Sequence, residues 1–330
     1  MYCLDYSLKM DIDLVYLWVD GSDPVWRAKK AAYEQGGEPI ASEAVDEARF
    51  INNDELKYSL RSVERYAPWI RHIYIVTDNQ VPSWLDLTNP RISIVDHSEI
   101  MPAEALPSFS SPAIEWCIDN IPGLSEYFLY ANDDMFMGRP VTPEDFFNSK
   151  GYPIVRLRKR KGNKRSDATI YMKTLFRAQE LVRQRCGSVC THVPHHNIDA
   201  YRLSDLRACK AAFAKEVDAT IHRHVRHEDD IQRAAILYYA LATGRGEMKL
   251  MGRYNKAMGM KEKIKTSMKG IYHYDARSIN IRETNIQRII NRYNPMLFCL
   301  NDNEQATDAD RLRTREFLER MFPEKSEFEA

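Results

Sequence analysis

The chain has 330 residues, 44% apolar and 28% charged, with Lys+Arg and Asp+Glu both at 47. That composition fits one large globular domain or two ordinary ones, and the zero formal charge argues neither for nor against a polyanionic partner, a question left to the distribution of charge. Six cysteines (Cys3, Cys117, Cys186, Cys190, Cys209, Cys299) are too few for a disulfide scaffold; Asp5, Asp11 and Asp13 fall where a leader needs an apolar core, and no run nears the ~18 apolar residues of a membrane span, so the expectation is a cytoplasmic protein with reduced thiols.

Asp13 to Val19 (DLVYLWV) is a β-branched and aromatic run ended by Asp20-Gly21, and it reads as a buried strand. A helix follows from about Val25 to Gln35, then a polar stretch, GGEPIAS. A second helix is expected from Asn53 to Arg65, with Asn53 or Asp54 as its N-cap. Ile73–Thr77 and Ile92–Val95 read as two further strands, each ending in polar residues. SSPAIEWCIDNIP reads as a helix with Pro112 near its start, and EYFLYANDD as a fourth strand. Strand, polar loop and helix in repetition define a parallel sheet.

After Lys150 the character changes. VRLRKRKGNKR holds Arg156, Arg158, Lys159, Arg160, Lys161, Lys164 and Arg165. Such a run suits either a nucleic acid or a solvated hairpin, and it lacks the interleaved aromatics that favour the first. Asp199 to Gly244 reads as mostly helical, and a charged helix runs from Asp308 to Phe322.

Ligands of parallel sheets bind beyond the carboxyl ends of the strands. Here those ends carry Asp20, Asp78-Asn79, Asp96-His97 and Asn132-Asp133-Asp134. Adjacent carboxylates beside an Asn suit a hard divalent cation, which would in turn neutralise a pyrophosphate. CGSVCTHVPHH gathers Cys186, Cys190, His192, His195 and His196. Zinc is one reading, though four ligands in so short a segment stiffened by Pro194 would be cramped; acid–base work by histidine is the other. Arg226 in RHVRHEDD has the side chain for bidentate phosphate contact. LFCLNDNEQ ends another apolar run in Asn301-Asp302-Asn303.

DIDLVYLWVDGSDPVW, the block from RFINNDELKYSLRSVERYAPWIRHIYIVTDNQVPSWL through FSSPAIEWCIDNIPGLSEYFLYANDDMFMGRPVTPEDFF, HVPHH…VRHEDD and LNDNEQ together resemble the four conserved regions of the Stealth proteins. The resemblance implies transfer of a hexose-1-phosphate, of the N-acetylhexosamine kind, from a UDP-sugar to a glycan hydroxyl. UMP would be released and a phosphodiester formed, in capsular or cell-surface polysaccharide synthesis. It places Asp133 and Asp134 at the metal or phosphates, His192 as base with His195 beside it, and Arg226 on the diphosphate. Asn301, Asp302 and Asn303 would close around the metal and pyrophosphate. Asp20, Gly21, Asp23, Arg61, Asp78 and Asn132 would shape the substrate site.

The implied cofactor is Mg2+ or Mn2+, with Asp134, Asn301 and Asn303 as ligands, and the implied partners are the UDP-sugar and the glycan, not nucleic acid. Capsule assembly at the inner membrane face would allow peripheral association with that machinery, and a homo-oligomer is left open. The expected fold is α/β: a mostly parallel Rossmann-like (GT-A-like) sheet with a helical second portion. Residues 1–150 would form the nucleotide-sugar portion, 151–185 a variable basic insert and 186–330 a mainly helical portion completing one catalytic unit. A metal-dependent glycosyltransferase releasing UDP is the nearest rival. A zinc- or nucleic-acid-binding module is the rival from another class.

Overall fold

A computed structural model describes residues 10–36, 50–159, 169–251 and 275–330. Its central sheet runs in the order β3-β2-β1-β4-β8. The strands are β1 (Ile12–Leu17), β2 (Ile73–Thr77), β3 (Ile92–Asp96), β4 (Tyr127–Asn132) and β8 (Asp199–Arg202). The first four are parallel and β8 is antiparallel to β4. From β1 the chain steps outward to β2 and β3, then returns to place β4 on the other side of β1. The gap between the carboxyl ends of β1 and β4 is therefore the topological switch point, where such sheets hold ligands.

The continuous apolar runs are explained by burial on both faces. Ile12, Leu14 and Tyr16 of β1 face helix α2 (Glu55–Tyr66) through Leu56, Leu60 and Val63. Val15 faces the other way, into a core with Trp116 and helix α8 (Ala234–Ala242). Helix α5 (Ile170–Cys186) packs along α8. Tyr16 is tied to α2 by a 2.7 Å hydrogen bond to Ser59 Oγ, which satisfies a hydroxyl otherwise stranded in the core.

Two small sheets flank the large one. β10 (Ala276–Asn280) is parallel to β11 (Leu297–Asn301), and β11 is antiparallel to β5 (Met135–Met137). β6 (Ile154–Arg158) lies between β7 (Val193–Pro194) and β9 (Glu247–Leu250). The part of the chain after residue 186 thus supplies strands as well as helices. β8 extends the central sheet, and β11 pairs with the three-residue strand that follows Asp133-Asp134.

The basic run begins inside the protein rather than on a hairpin tip. Arg156 in β6 is 1% exposed, lies over the Phe146 ring and donates to the Asp145 carbonyl. Arg160, Lys161, Lys164 and Arg165 lie outside the described residues. Among the described residues, no helix is long and apolar enough to cross a membrane.

Candidate active site

A cleft of about 420 Å³ opens at the switch point. Its floor is the end of β4. Asn132 closes the strand, and Asp133 and Asp134 form the tight turn into β5. The acids stand together because the chain must reverse there with only two residues, and because Leu300 N–H holds the Asp134 carbonyl at 3.0 Å. Glu55, at the start of α2, lines the same floor, as do Asn301, which ends β11, and Asp302 just beyond it.

Glu55 accepts from Asn53 N–H at 2.7 Å and from the Asn53 side-chain amide at 2.8 Å, which fixes its carboxylate over the floor. Asp302 is held by the Arg311 guanidinium at 2.8 and 3.2 Å. The acids disturb one another. Burial, with Glu55 beside it, pushes Asp134 up to about 7. Burial, Glu55 and Asp134 push Asp133 well above the carboxylate range. Burial and Asp302 raise Glu55, against the hydrogen bonds from Asn53.

Three acids raised by burial and by neighbouring carboxylates invite a cation. Asp134 Oδ1 is buried without a partner, while its Oδ2 accepts from the Cys299 thiol at 3.0 Å. Asp134, His196 and Cys299 each bring a ligand atom within 4.8 Å of the others. Burial, with Asp134 beside it, holds the Cys299 thiol far above its ordinary value, and it donates to Asp134. The remaining donors are mainly carboxylate oxygens, which fit a hard divalent cation better than zinc.

The walls differ from the floor. Trp18, Trp26, Phe50 and Phe109 make one side aromatic, with Trp26 and Phe50 ring centroids 5.0 Å apart. Gly21 permits this wall: a Cβ there would stand 2.4 Å from the Phe50 carbonyl oxygen, to which Gly21 N–H donates at 2.8 Å. Asp78 and His97 line the cleft beyond the aromatics. Lys29 grips Asp78 Oδ1 at 2.6 Å, leaving Oδ2 buried and unpartnered. Arg226 enters from the opposite side, donating from Nη2 to Ser111 Oγ while its Nε stays buried without a partner.

Of the residues singled out in the sequence, Asp78, Asn132, Asp133, Asp134, Arg226, Asn301 and Asp302 line this cleft. Asp20 and Asp23 stand one layer behind it. Asp20 accepts from Ser22, Asp23 Oδ1 accepts from Val25 N–H at the start of helix α1 (Pro24–Gly36), and Gln80 bridges the two. The Asn303 side chain accepts Gln305 N–H, closing the turn after β11.

Arg61 must be corrected. It sits on α2 in a bidentate pair with Glu329 (2.6 Å) and donates to the Phe322 carbonyl, so its work is to clasp the tail. His192 is also displaced: its Nδ1 lies 3.5 Å from Cys190 Sγ, and it does not line the cleft. His196 takes that place. Burial and Arg233 lower it to about 4, so its ring is neutral near pH 7. His195 lines a small space behind, likewise lowered to about 4 by burial and Arg158. The Cys/His segment is thus split, and His196 belongs with Asp134 rather than with Cys190.

His97 stands at a strand end named in the sequence, whereas Glu55 and the aromatic wall were not read there. NNDE before a helix carries the signature of a cap, which hid the outward role of Glu55. Nothing periodic marks Trp26 or Phe50 as neighbours.

The fold is that of the α/β proteins that bind ligands where the strand order reverses, here in an acid-floored, aromatic-walled cleft. Comparison with known proteins narrows this. Residues 10–38 match Stealth protein CR1, conserved region 1, and residues 49–155 match Stealth protein CR2, conserved region 2. The exopolysaccharide phosphotransferase SCO6023 of Streptomyces coelicolor is 38% identical over 99% of this chain and 53% of its own length. The capsular polysaccharide phosphotransferase SacB of Neisseria meningitidis serogroup A is 33% identical over 97% of this chain and 57% of its own. This chain belongs to the Stealth family. It spans about half the length of the curated relatives it matches. A galactosyltransferase structure, LgtC with donor and acceptor sugar analogues, aligns over 95% of this chain and 96% of its own at 11% identity and TM-score 0.42, too slight a likeness to build on.

Proposed function

We propose that this chain transfers a sugar-1-phosphate, of the N-acetylhexosamine kind, from a UDP-sugar to a glycan hydroxyl, releasing UMP. The setting would be capsular or exopolysaccharide synthesis on the cytoplasmic side. The observation that carries this reading is the floor of the cleft. Among the described residues, Glu55, Asp133 and Asp134 face one space with no basic partner in their hydrogen bonds, while Arg226 and neutral His196 line the same cleft. Acids so placed await a cation and the phosphates it carries.

The aromatic wall suits a nucleoside, and Asp78 suits a polar edge of it. Asp133, Asp134 and Glu55 would hold Mg2+ or Mn2+, which when bound neutralises phosphate charge and stabilises the leaving nucleotide. Arg226 grips the phosphoryl oxygens as a planar fork. The acceptor oxygen attacks the β-phosphorus, the bond to the UMP oxygen breaks, and the electron pair leaves with UMP. The hydroxyl proton passes to a ring nitrogen of His196, which burial and Arg233 keep unprotonated. Most of the rate gain in such a transfer comes from positioning and charge stabilisation.

Nucleotide product analysis tests the reading. The protein would be incubated with a panel of UDP-sugars, Mg2+ and glycan oligomers, with and without EDTA. UMP that appears only with metal supports it. UDP in place of UMP would mean glycosyl transfer, and the phosphotransfer reading would fall.

A further inference from the structure

Beyond the acidic floor lies a second, smaller chamber of about 120 Å³. Ser111, Asn132, His196 and Arg226 line both spaces and form the partition between them. Glu115, Tyr171, Thr174, Gln232 and Arg233 line the smaller one only.

The two spaces differ in charge. In the small chamber every acid is tied to a base of the protein, Glu115 and Asp199 sharing one arginine. Arg233 reaches Asp199 at 2.6 Å and Glu115 at 3.2 Å, and Asp230 is paired with Arg223 at 2.8 Å. Apart from Arg226, which it shares with the larger cleft, its walls hold no charged group without an opposite partner, so they offer no seat of their own for a metal, a phosphate or an ammonium group. They do leave a hydrogen-bond acceptor. Glu115 Oε1 takes the Tyr130 hydroxyl at 2.8 Å and Arg233 Nε, whereas Glu115 Oε2 is buried with no partner. A buried carboxylate oxygen left open costs stability unless a donor arrives.

We propose that this chamber seats the accepting residue, a neutral sugar ring, and that Glu115 is a positioning residue whose Oε2 receives one of its hydroxyl protons in a hydrogen bond. The inference rests on the phosphotransfer reading above. It fixes the side from which the acceptor comes: the attacking hydroxyl enters past the partition, where His196 can take its proton and Arg226 faces both substrates. An acidic acceptor would set its charge against Glu115, so uncharged hexose or N-acetylhexosamine residues fit and uronic or sialic acids do not.

The test uses the full chain, Mg2+ and the UDP-sugar that yields most UMP. Release of UMP is measured alone, then with chitotriose, maltotriose, mannotriose and an acidic trisaccharide. At least one neutral trisaccharide should stimulate release, and the acidic one should not. Glu115→Gln should raise the KM for the stimulating trisaccharide about tenfold or more, leaving the donor KM and the water-only release unchanged. Tyr171→Trp, at the rim of the chamber, should do the same without touching the ion network, and it serves if the Glu115 variant does not fold. The proposal is overturned if both variants keep the wild-type acceptor KM, if donor and acceptor KM rise together, or if no neutral trisaccharide stimulates. UDP release would sink the phosphotransfer reading instead, whatever the acceptor KM does.

Discussion

Strand β4 divides two groups of buried acids that the protein treats in opposite ways. On one side Glu115 and Asp199 share Arg233, which also lies 4.3 Å over the Tyr130 ring. Burial raises both acids and the arginine pulls them back. On the other side Glu55, Asp133 and Asp134 have no arginine or lysine partner among the described residues, and neighbouring carboxylates add to the rise that burial starts. Where the chain supplies the counter-charge, the acids hold the fold. Where it withholds it, the counter-charge comes from outside, and the acids bind.

The contrast can be broken most sharply at the unpaired acids. Asp133→Ala and Asp134→Ala should each lower turnover by about a thousandfold or more. Thermal unfolding of the metal-free variants should occur at or above the wild-type temperature, since each removes repulsion. A clear drop in Tm without metal would place these acids among the structural ones.

The paired side should respond the other way. Arg233→Ala leaves two buried carboxylates uncompensated and should cost about 3–5 kcal/mol in denaturant unfolding. A cost below about 1 kcal/mol would mean that the network is solvated and not a support.

The histidines sharpen the line between the groups. His196→Ala should lower kcat about a hundredfold, with His192→Ala within a few-fold of wild type. Equal losses would return His192 to the reaction.

The smallest effect concerns pH. Asp134 is raised to about 7, above its ordinary range. In the metal-free protein its contribution to stability is therefore complete at low pH and is lost as pH rises through about 7. A cation competes with that proton, so the Tm gain from Mg2+ or Mn2+ should grow by a few degrees between about pH 5.5 and pH 8. A gain that is flat with pH would argue that the ion binds elsewhere.

The central strands were legible because burial on both faces writes a continuous apolar run. Ile73–Thr77 appears in the structure with the same ends, and Ile92–Val95 extends by one residue. β5 was not legible: three residues after a turn carry no period, so NDD looked like the end of a strand instead of a hinge between two. The mostly helical stretch from Asp199 hides β8, whose four residues are recognisable only by pairing with β4. Asp133, Asp134 and Arg226 could be picked out by residue type and neighbours. His192 and His196 could not be told apart that way, because the direction of each ring depends on how Val193–Pro194 pairs with β6.

The turn that carries Asp133 and Asp134 is also the joint between two sheets. β4 on one side of it belongs to the central sheet, and β5 on the other side is bound to β11. Glu55 rises from a helix hydrogen-bonded to both sheets, to Tyr16 of β1 and to Met135 and Met137 of β5, and Asp302 follows a strand of the second. An ion seated among them would act as a rivet through both plates. Its grip would depend on the angle between the sheets, and any ligand that changes that angle would tighten or loosen it from a distance.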